Sequence, residues 1–166
     1  MIKIFNTGGT FNKRYDPVEG RLVVPEDDEA IGAIVSRMPA WRVSVEGLIY
    51  KDSLQMDKED RHRLAKKVVT ADALRIVVVH GTDTMRESAA VVAEWLGAKH
   101  DKRVVFTGAM VPFSIDPIEA TAHLSMAIAS VDCLHPGVYI AMHGFVLPWD
   151  HVVKNKVLGR FERMVR

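Results

Sequence analysis

Hydrophobic residues gather into five short runs or alternations: Ile2 to Phe5, Arg42 to Glu46, Ile76 to Val79, Val104 to Phe106 and Val138 to Met142. Their length and β-branched content predict strands. Between them the spacing changes to three and four. Ile31, Ile34, Val35 and Met38 form one helical stripe behind the acidic PEDDEA, and Leu64, Ala65, Val68 and Val69 form a second behind MDKED. Met85, Ala89, Val92 and Leu96 make a third, with Gly97 as its stop. A fourth carries Leu124, Ile128 and Val131 inward and has an explicit start: Asp116 as cap, Pro117 in the first turn and Glu119 where a capping box needs it.

Two stretches are less regular. RYDPVEGRLVV holds Asp16, Pro17 and Gly20 and reads as a loop or small hairpin. The final DHVVKNKVLGRFERMVR is polar and weakly periodic, so it is expected to form a crossing loop and short closing helix, or to begin an element completed elsewhere. Strands alternating with helices argue for right-handed βαβ units. The fold class is therefore α/β, a three-layer domain with a mostly parallel β-sheet covered on both sides. With no linker, repeat or low-complexity segment, residues 1–166 read as a single domain.

Composition narrows the function classes. Lys plus Arg number 22 against 21 Asp plus Glu, and the signs are interspersed, so no basic stripe offers the phosphate contacts that nucleic acid requires. No apolar run is long enough to span a membrane, and MIKIFNTGGT enters a strand and turn at once, unlike a signal peptide. A cytoplasmic protein is expected, with neither nucleic acid nor membrane as partner. Cys133 is the sole cysteine, which excludes an internal disulfide and a thiolate cluster; it is expected to be a small buried residue. None of the seven histidines forms HExxH, and structural roles are expected for them. His80 and His143 follow strands, which leaves a histidine base or a metal as the alternative reading.

In parallel sheets ligands sit beyond the C-terminal strand ends. Here those ends read NTGGT, then a segment with Ser53 and Gln55, then HGTDT, then TGAMVP. Gly8 and Gly9 suit either a tight turn or close ligand approach. NTGGT is neither GxGxxG nor GxxxxGK[ST], so dinucleotide and P-loop assignments lose their warrant. Thr82 or Thr84 could cap the third helix or carry chemistry. A hydroxyl needs a base before it can attack a carbonyl. Lys154 could fold back as that base for Thr10 or Thr82, while Asp83 would stabilise the ammonium, orient it, or bind a substrate amine.

Together NTGGTF, HGTDTM, TGAMVP and VVKN, in this order, resemble the bacterial-type L-asparaginase family over its N-terminal domain. The resemblance implies hydrolysis of the side-chain amide of asparagine, sometimes glutamine, through a threonine acyl-enzyme without metal or organic cofactor. It implies Thr10 as nucleophile, with Thr82, Asp83 and Lys154 as the second catalytic group and Tyr15 as the mobile-loop tyrosine. Ser53 would hold the substrate α-carboxylate and Asp83 its α-ammonium, with backbone at Gly9 and Gly81 lining the site. Leu54 departs from the pattern, because the family usually has glutamine there to contact the substrate amine, and Gln55 comes one position later. The implied partner is a small-molecule amino-acid amide, and the implied assembly a homodimer or tetramer. Alternatives are an amidohydrolase for L-glutamine or D-amino-acid amides, an amide-hydrolysing component of a larger complex, or a noncatalytic small-ligand or interaction domain on the same scaffold.

Overall fold

The computed structural model describes residues 1–164. Strands β1 (Ile2–Gly8), β4 (Val43–Lys51), β5 (Arg75–Val79), β6 (Arg103–Thr107) and β7 (Gly137–Met142) run parallel in the order β4-β1-β5-β6-β7, and β8 (Phe145–Pro148) adds an antiparallel edge. Helices α1 (Glu29–Val35), α2 (Lys58–Thr70), α3 (Met85–Leu96) and α4 (Pro117–Ser130) form the crossovers. The expected three-layer α/β architecture is what the chain adopts.

Alternation along β5 shows why both faces need cover. Ile76 and Val78 join a core with Phe5 and Phe106 and with Leu64, Val68, Met85 and Val92 of α2 and α3. Val77 and Val79 join the opposite core with Ile4, Ile31, Leu124 and Ile128 of β1, α1 and α4. From β1 the chain steps outward to β4, then returns across β1 to β5, so strand order reverses between β1 and β5. The loops after those two strands flank the crevice that α/β sheets use for ligands.

Four local expectations are corrected. The second strand runs to Lys51, five residues past Glu46, because Leu48 and Ile49 bury as well. The C-terminal stretch contains no closing helix among the described residues. Instead β9 (Val152–Asn155) and β10 (Arg160–Arg163) pair as an antiparallel hairpin outside the main sheet. Asn155 Oδ1 accepts from the amides of Val157 and Leu158 at 3.1 and 3.0 Å, forming the turn, while Val152 and Phe161 bury. Cys133 is exposed, since it lies in the surface turn after α4. Asp116 caps α4 through the amide of Ile118, but Glu119 turns away from the capping box to accept from the amides of Met110 and Val111 at 3.0 and 3.1 Å.

Two further elements complete the chain. RYDPVEGRLVV forms a hairpin of β2 (Arg14–Asp16) and β3 (Arg21–Val23). The edge strand β8 follows β7 through a two-residue turn, His143 and Gly144, with φ 49° and 88°. Such left-handed pairs match the strand twist of a hairpin, and His143-Gly144 supplies one without the usual Asn-Gly signal.

Candidate active site

The site begins with a buried amide network. Asn6 and Asn12 lie below the NTGGT turn and bond reciprocally: Asn12 Nδ2 donates to Asn6 Oδ1 at 3.0 Å and Asn6 Nδ2 to Asn12 Oδ1 at 3.2 Å. Asn6 Oδ1 also accepts from the Gly8 amide, and Asn12 Nδ2 donates to the Gly8 carbonyl at 2.7 Å. The turn is thereby pinned from beneath. Gly9 then adopts φ 76°, its amide donates to the Lys51 carbonyl at 2.9 Å, and Thr10 starts a single 3-10 turn.

Three strand ends meet at van der Waals distance. A Cβ on Gly9 would lie 2.4 Å from Gly81 Cα, and one on Gly81 would lie 2.7 Å from Ser53 Oγ. Both positions need glycine because neighbouring atoms occupy the space a side chain would take. Ser53 is buried in its own 3-10 turn, capped by Asp52. Thr84 stands at the N-cap of α3 but makes no side-chain cap bond; its hydroxyl donates to the Ser53 carbonyl at 2.9 Å and its amide to Ser53 Oγ at 3.3 Å. The Thr84 hydroxyl thus ties two loops together, which settles against helix capping by that residue.

The decisive long-range contact comes from the C-terminal hairpin. Lys154 Nζ donates to Thr82 Oγ1 and to Asp83 Oδ1, each at 2.8 Å. The lysine side chain is 13% exposed and the aspartate 30%, so the pair is largely withdrawn from water but open on one side. Thr82 is buried. Charge-assisted bonds of this kind fix geometry more firmly than neutral ones. The amides of Gly81, Thr82 and Asp83 lie outside any helix or strand and have no hydrogen-bond partner among the described residues. Thr10 is half-buried, and its hydroxyl is likewise without a protein partner there.

Tyr15 is on β2, 64% exposed and opposite Leu22, with no hydrogen bond to Thr10 or Lys154 among the described residues. The structure therefore assembles Gly9, Gly81, Ser53, Thr82, Asp83 and Lys154, places Thr10 at the adjoining turn, and leaves Tyr15 on the exposed hairpin.

Against known families, the profile described as Asparaginase, N-terminal matches residues 1–160. The chain belongs to the asparaginase family. It is 24% identical to the L-asparaginase of Thermococcus kodakarensis over 160 residues, 95% of this chain and 48% of that protein. It is 30% identical to L-asparaginase 2 of Bacillus subtilis, over 76% of this chain and 36% of that protein. A glutamyl-tRNA(Gln) amidotransferase subunit from Archaeoglobus fulgidus is 31% identical over 86% of this chain and 34% of its own length. The chain thus spans about half the length, or less, of the curated relatives it matches. The solved thermostable L-asparaginase of Thermococcus kodakarensis has the same fold, with TM-score 0.85 at 23% identity over 98% of this chain and 51% of that one. A structure described as a probable cytoplasmic L-asparaginase from Campylobacter jejuni gives TM-score 0.79 at 30% identity, over 98% and 52% of the two chains. No described helix is long and apolar enough to cross a membrane.

At the position where the family usually has glutamine, Leu54 is 67% exposed and Gln55 is exposed beside it. Neither joins the assembled group. Across the mouth, Lys13 reaches Asp52 at 2.7 Å, linking the Thr10 turn to the Ser53 turn. Burial pulls the Asp52 carboxyl upward, but the Lys13 bond, the Leu54 amide and the charges of Lys13 and Lys154 outweigh it, so its pKa is lowered. Sequence reasoning missed this pair, since a lone Lys and a lone Asp carry no spacing signal.

One group among the described residues has metal-ligand chemistry: Glu119, His123 and His143, with ligand atoms within 4.8 Å of one another. The ring nitrogens of its two histidines are already committed. His123 Nδ1 faces the Gly108 carbonyl at 2.8 Å and so carries its proton, while Nε2 accepts from the His143 amide at 3.0 Å. Burial, only partly offset by the Gly108 bond and the Glu119 charge, lowers the His123 pKa and favours this neutral form. His143 Nδ1 accepts from the Phe161 amide at 2.9 Å, which leaves the proton on Nε2, 3.3 Å from Glu119 Oε1. Every ring nitrogen of these two residues has a partner, as expected of structural histidines. His80 differs: it is fully buried, with Nδ1 against the Gly81 carbonyl at 2.7 Å and a pKa lowered by burial to about 4, and its Nε2 has no hydrogen-bond partner among the described residues.

Proposed function

We propose that this domain hydrolyses the side-chain amide of L-asparagine to aspartate and ammonia through an acyl-enzyme on Thr10. The observation that carries this reading is Lys154 donating to both Thr82 Oγ1 and Asp83 Oδ1 beside the Gly9–Gly81 contact. In that arrangement Thr82 and Lys154 move protons while Thr10 attacks the carboxamide carbon, with Tyr15 assisting from the β2–β3 hairpin. Nitrogen is protonated as the C–N bond breaks, and ammonia leaves. Water then adds to the ester, and collapse of the second tetrahedral intermediate releases aspartate and restores the Thr10 hydroxyl.

Developing negative charge on the carbonyl oxygen needs aimed donors. The unpartnered amides at Gly81 and Thr82 and the Thr82 hydroxyl supply candidates, each worth about 3 to 4 kcal/mol in such sites. In this reading Ser53 Oγ takes the α-carboxylate of the substrate and Asp83 its α-ammonium. Exposed Leu54 offers no amide hydrogen bond to that ammonium, so substrate affinity is expected to be low unless another subunit completes the pocket. We place the protein in the cytoplasm as a homo-oligomer; a sedimentation profile showing only fully active monomer would reject the assembly.

The direct test is ammonia release from L-asparagine by metal-free protein beside Thr10→Ala. Release by the wild type and its loss in folded T10A support the reading, and an acyl adduct trapped on Thr10 separates attack from positioning. Ligand binding without ammonia release, unchanged in T10A, would establish a noncatalytic domain. The likeness to an amidotransferase component favours a second reading, amide hydrolysis within a larger complex. Comparing L-asparagine, L-glutamine and their D forms, with and without co-purified partners, separates the two.

A further inference from the structure

We propose that His143 is a positioning residue for Lys154, holding the β9–β10 hairpin so that the ammonium reaches Thr82 and Asp83. This rests on the catalytic reading of Lys154 given above. The hairpin is not hydrogen-bonded into the six-stranded sheet, so something else must fix its height over the site. Lys154 and Phe161 are directly opposed in its register. The Phe161 amide points away from β9 and donates to His143 Nδ1 at 2.9 Å, and the two rings pack edge to face with centroids 5.9 Å apart. Directly across the strand pair from the catalytic lysine, the hairpin is thus pinned by an imidazole.

That imidazole is itself held on every side. His143 occupies the left-handed position of the β7–β8 turn, and its amide donates to His123 Nε2 at 3.0 Å. Its Nε2–H faces Glu119 Oε1 at 3.3 Å, and the Glu119 carboxylate also takes the amides of Met110 and Val111. His123 reaches the Gly108 carbonyl, and Gly108 packs so closely on His80 that a Cβ there would lie 2.3 Å from the His80 carbonyl oxygen. The network therefore references the hairpin to the loop that carries Thr82 and Asp83. Within it, His143 Nδ1 carries no proton, because only an unprotonated nitrogen can accept from the Phe161 amide.

Two substitutions separate this role from general stability. His143→Gly removes the acceptor without straining the left-handed backbone, while His143→Asn places Oδ1 where Nδ1 stood and also tolerates that conformation. A reacting group displaced by about 1 Å can lose roughly 100-fold in rate. H143G is expected to lower kcat for L-asparagine about 10- to 100-fold with KM changed less than about 3-fold, and H143N to recover kcat to within about 3-fold of wild type. Nuclear magnetic resonance on the same variants reads the linkage without catalysis: in H143G the Phe161 amide and the Lys154 ammonium should both lose exchange protection, and in H143N both should keep it.

If the wild type releases no ammonia from any amide, the hydrolase reading falls and the resonance experiment still decides the coupling. Loss of protection at Phe161 with Lys154 unchanged would overturn the proposal. So would equal losses of kcat in H143G and H143N, or wild-type kcat in H143G.

Discussion

The two sides of the candidate site are held in different ways. Thr10, Ser53 and Gly81 sit on turns that extend directly from β1, β4 and β5, locked by close packing at Gly9 and Gly81 and by the buried Asn6–Asn12 pair. Lys154 sits on a two-stranded hairpin outside the sheet, held by the burial of Val152 and Phe161 and by the His143 bond. The first side is set by steric necessity, so a small change should damage the fold itself. The second is a docked arm, and its chemistry can be removed while the fold survives.

Gly9→Ala should have the largest effect. A methyl 2.4 Å from Gly81 Cα, at φ 76°, leaves only backbone to give way. The expected cost is about 4 kcal/mol or more, in the range reserved for severe clashes and strained backbone. Urea unfolding measures it, and near-native stability would show that the two turns are looser than their contact implies. Lys154→Met comes next and breaks the contrast from the other side. Turnover of asparagine should fall roughly 10²- to 10⁴-fold, the usual value of positioned proton transfer, with the cooperative unfolding transition retained. Normal hydrolysis by folded K154M would remove the lysine from the mechanism.

That contrast also marks what was legible in the chain. β5 could be read because Ile76 to Val79 are apolar on both faces, and HGTDT could be placed because strands of a parallel sheet end on one side. Thr82, Asp83 and Ser53 accordingly lie where their sequence neighbours put them. Lys154 lies 72 residues from Thr82, and no local pattern records that contact: the chemistry of a hydroxyl needing a base makes the lysine a candidate, and the family resemblance groups it with Thr82 and Asp83. The hairpin that carries it escapes the sequence pattern, which suggests a crossing loop and short closing helix or the start of an element completed elsewhere, because its turn depends on the Asn155 side chain and its burial on two positions, Val152 and Phe161. Glu119 had the right spacing for a capping box, but unpaired amides at Met110 and Val111 competed for it. Such competition is tertiary, and spacing alone cannot reveal it.

Acid should test the locked side at His80. Its pKa is lowered to about 4 in the folded protein, from an ordinary value near 6.5, chiefly by burial, and the Arg61 charge adds to the lowering. The unfolded chain therefore binds more protons between these values, so this stabilisation is complete above about pH 6.5 and is lost as pH falls toward 4. The slope approaches about 1.4 kcal/mol per pH unit and the total about 3 kcal/mol. The lowered His123 adds a contribution of the same sign. Denaturant melts at pH 7 and pH 5 measure the loss, and His80→Asn should flatten it. An unchanged slope in that variant would assign the acid sensitivity elsewhere.

The finest test asks whether the two sides are independent. Asn12→Ala leaves the Gly8 carbonyl without its Asn12 donor and the Asn6 side chain without its reciprocal partner, and should cost about 1 to 3 kcal/mol of stability. It should also lower kcat by loosening the turn before Thr10. Combined with His143→Gly, it forms a cycle across two supports that share no hydrogen-bond partner. If a locked turn and a docked arm meet only at the substrate, their effects on log kcat add, with a coupling below about 0.5 kcal/mol. A larger coupling would mean that the arm helps hold the turn. Two routes could carry such communication: the Lys154 bonds to Thr82 and Asp83, and the Gly108 contact with the His80 carbonyl, which joins the histidine network to the loop that packs on Gly9.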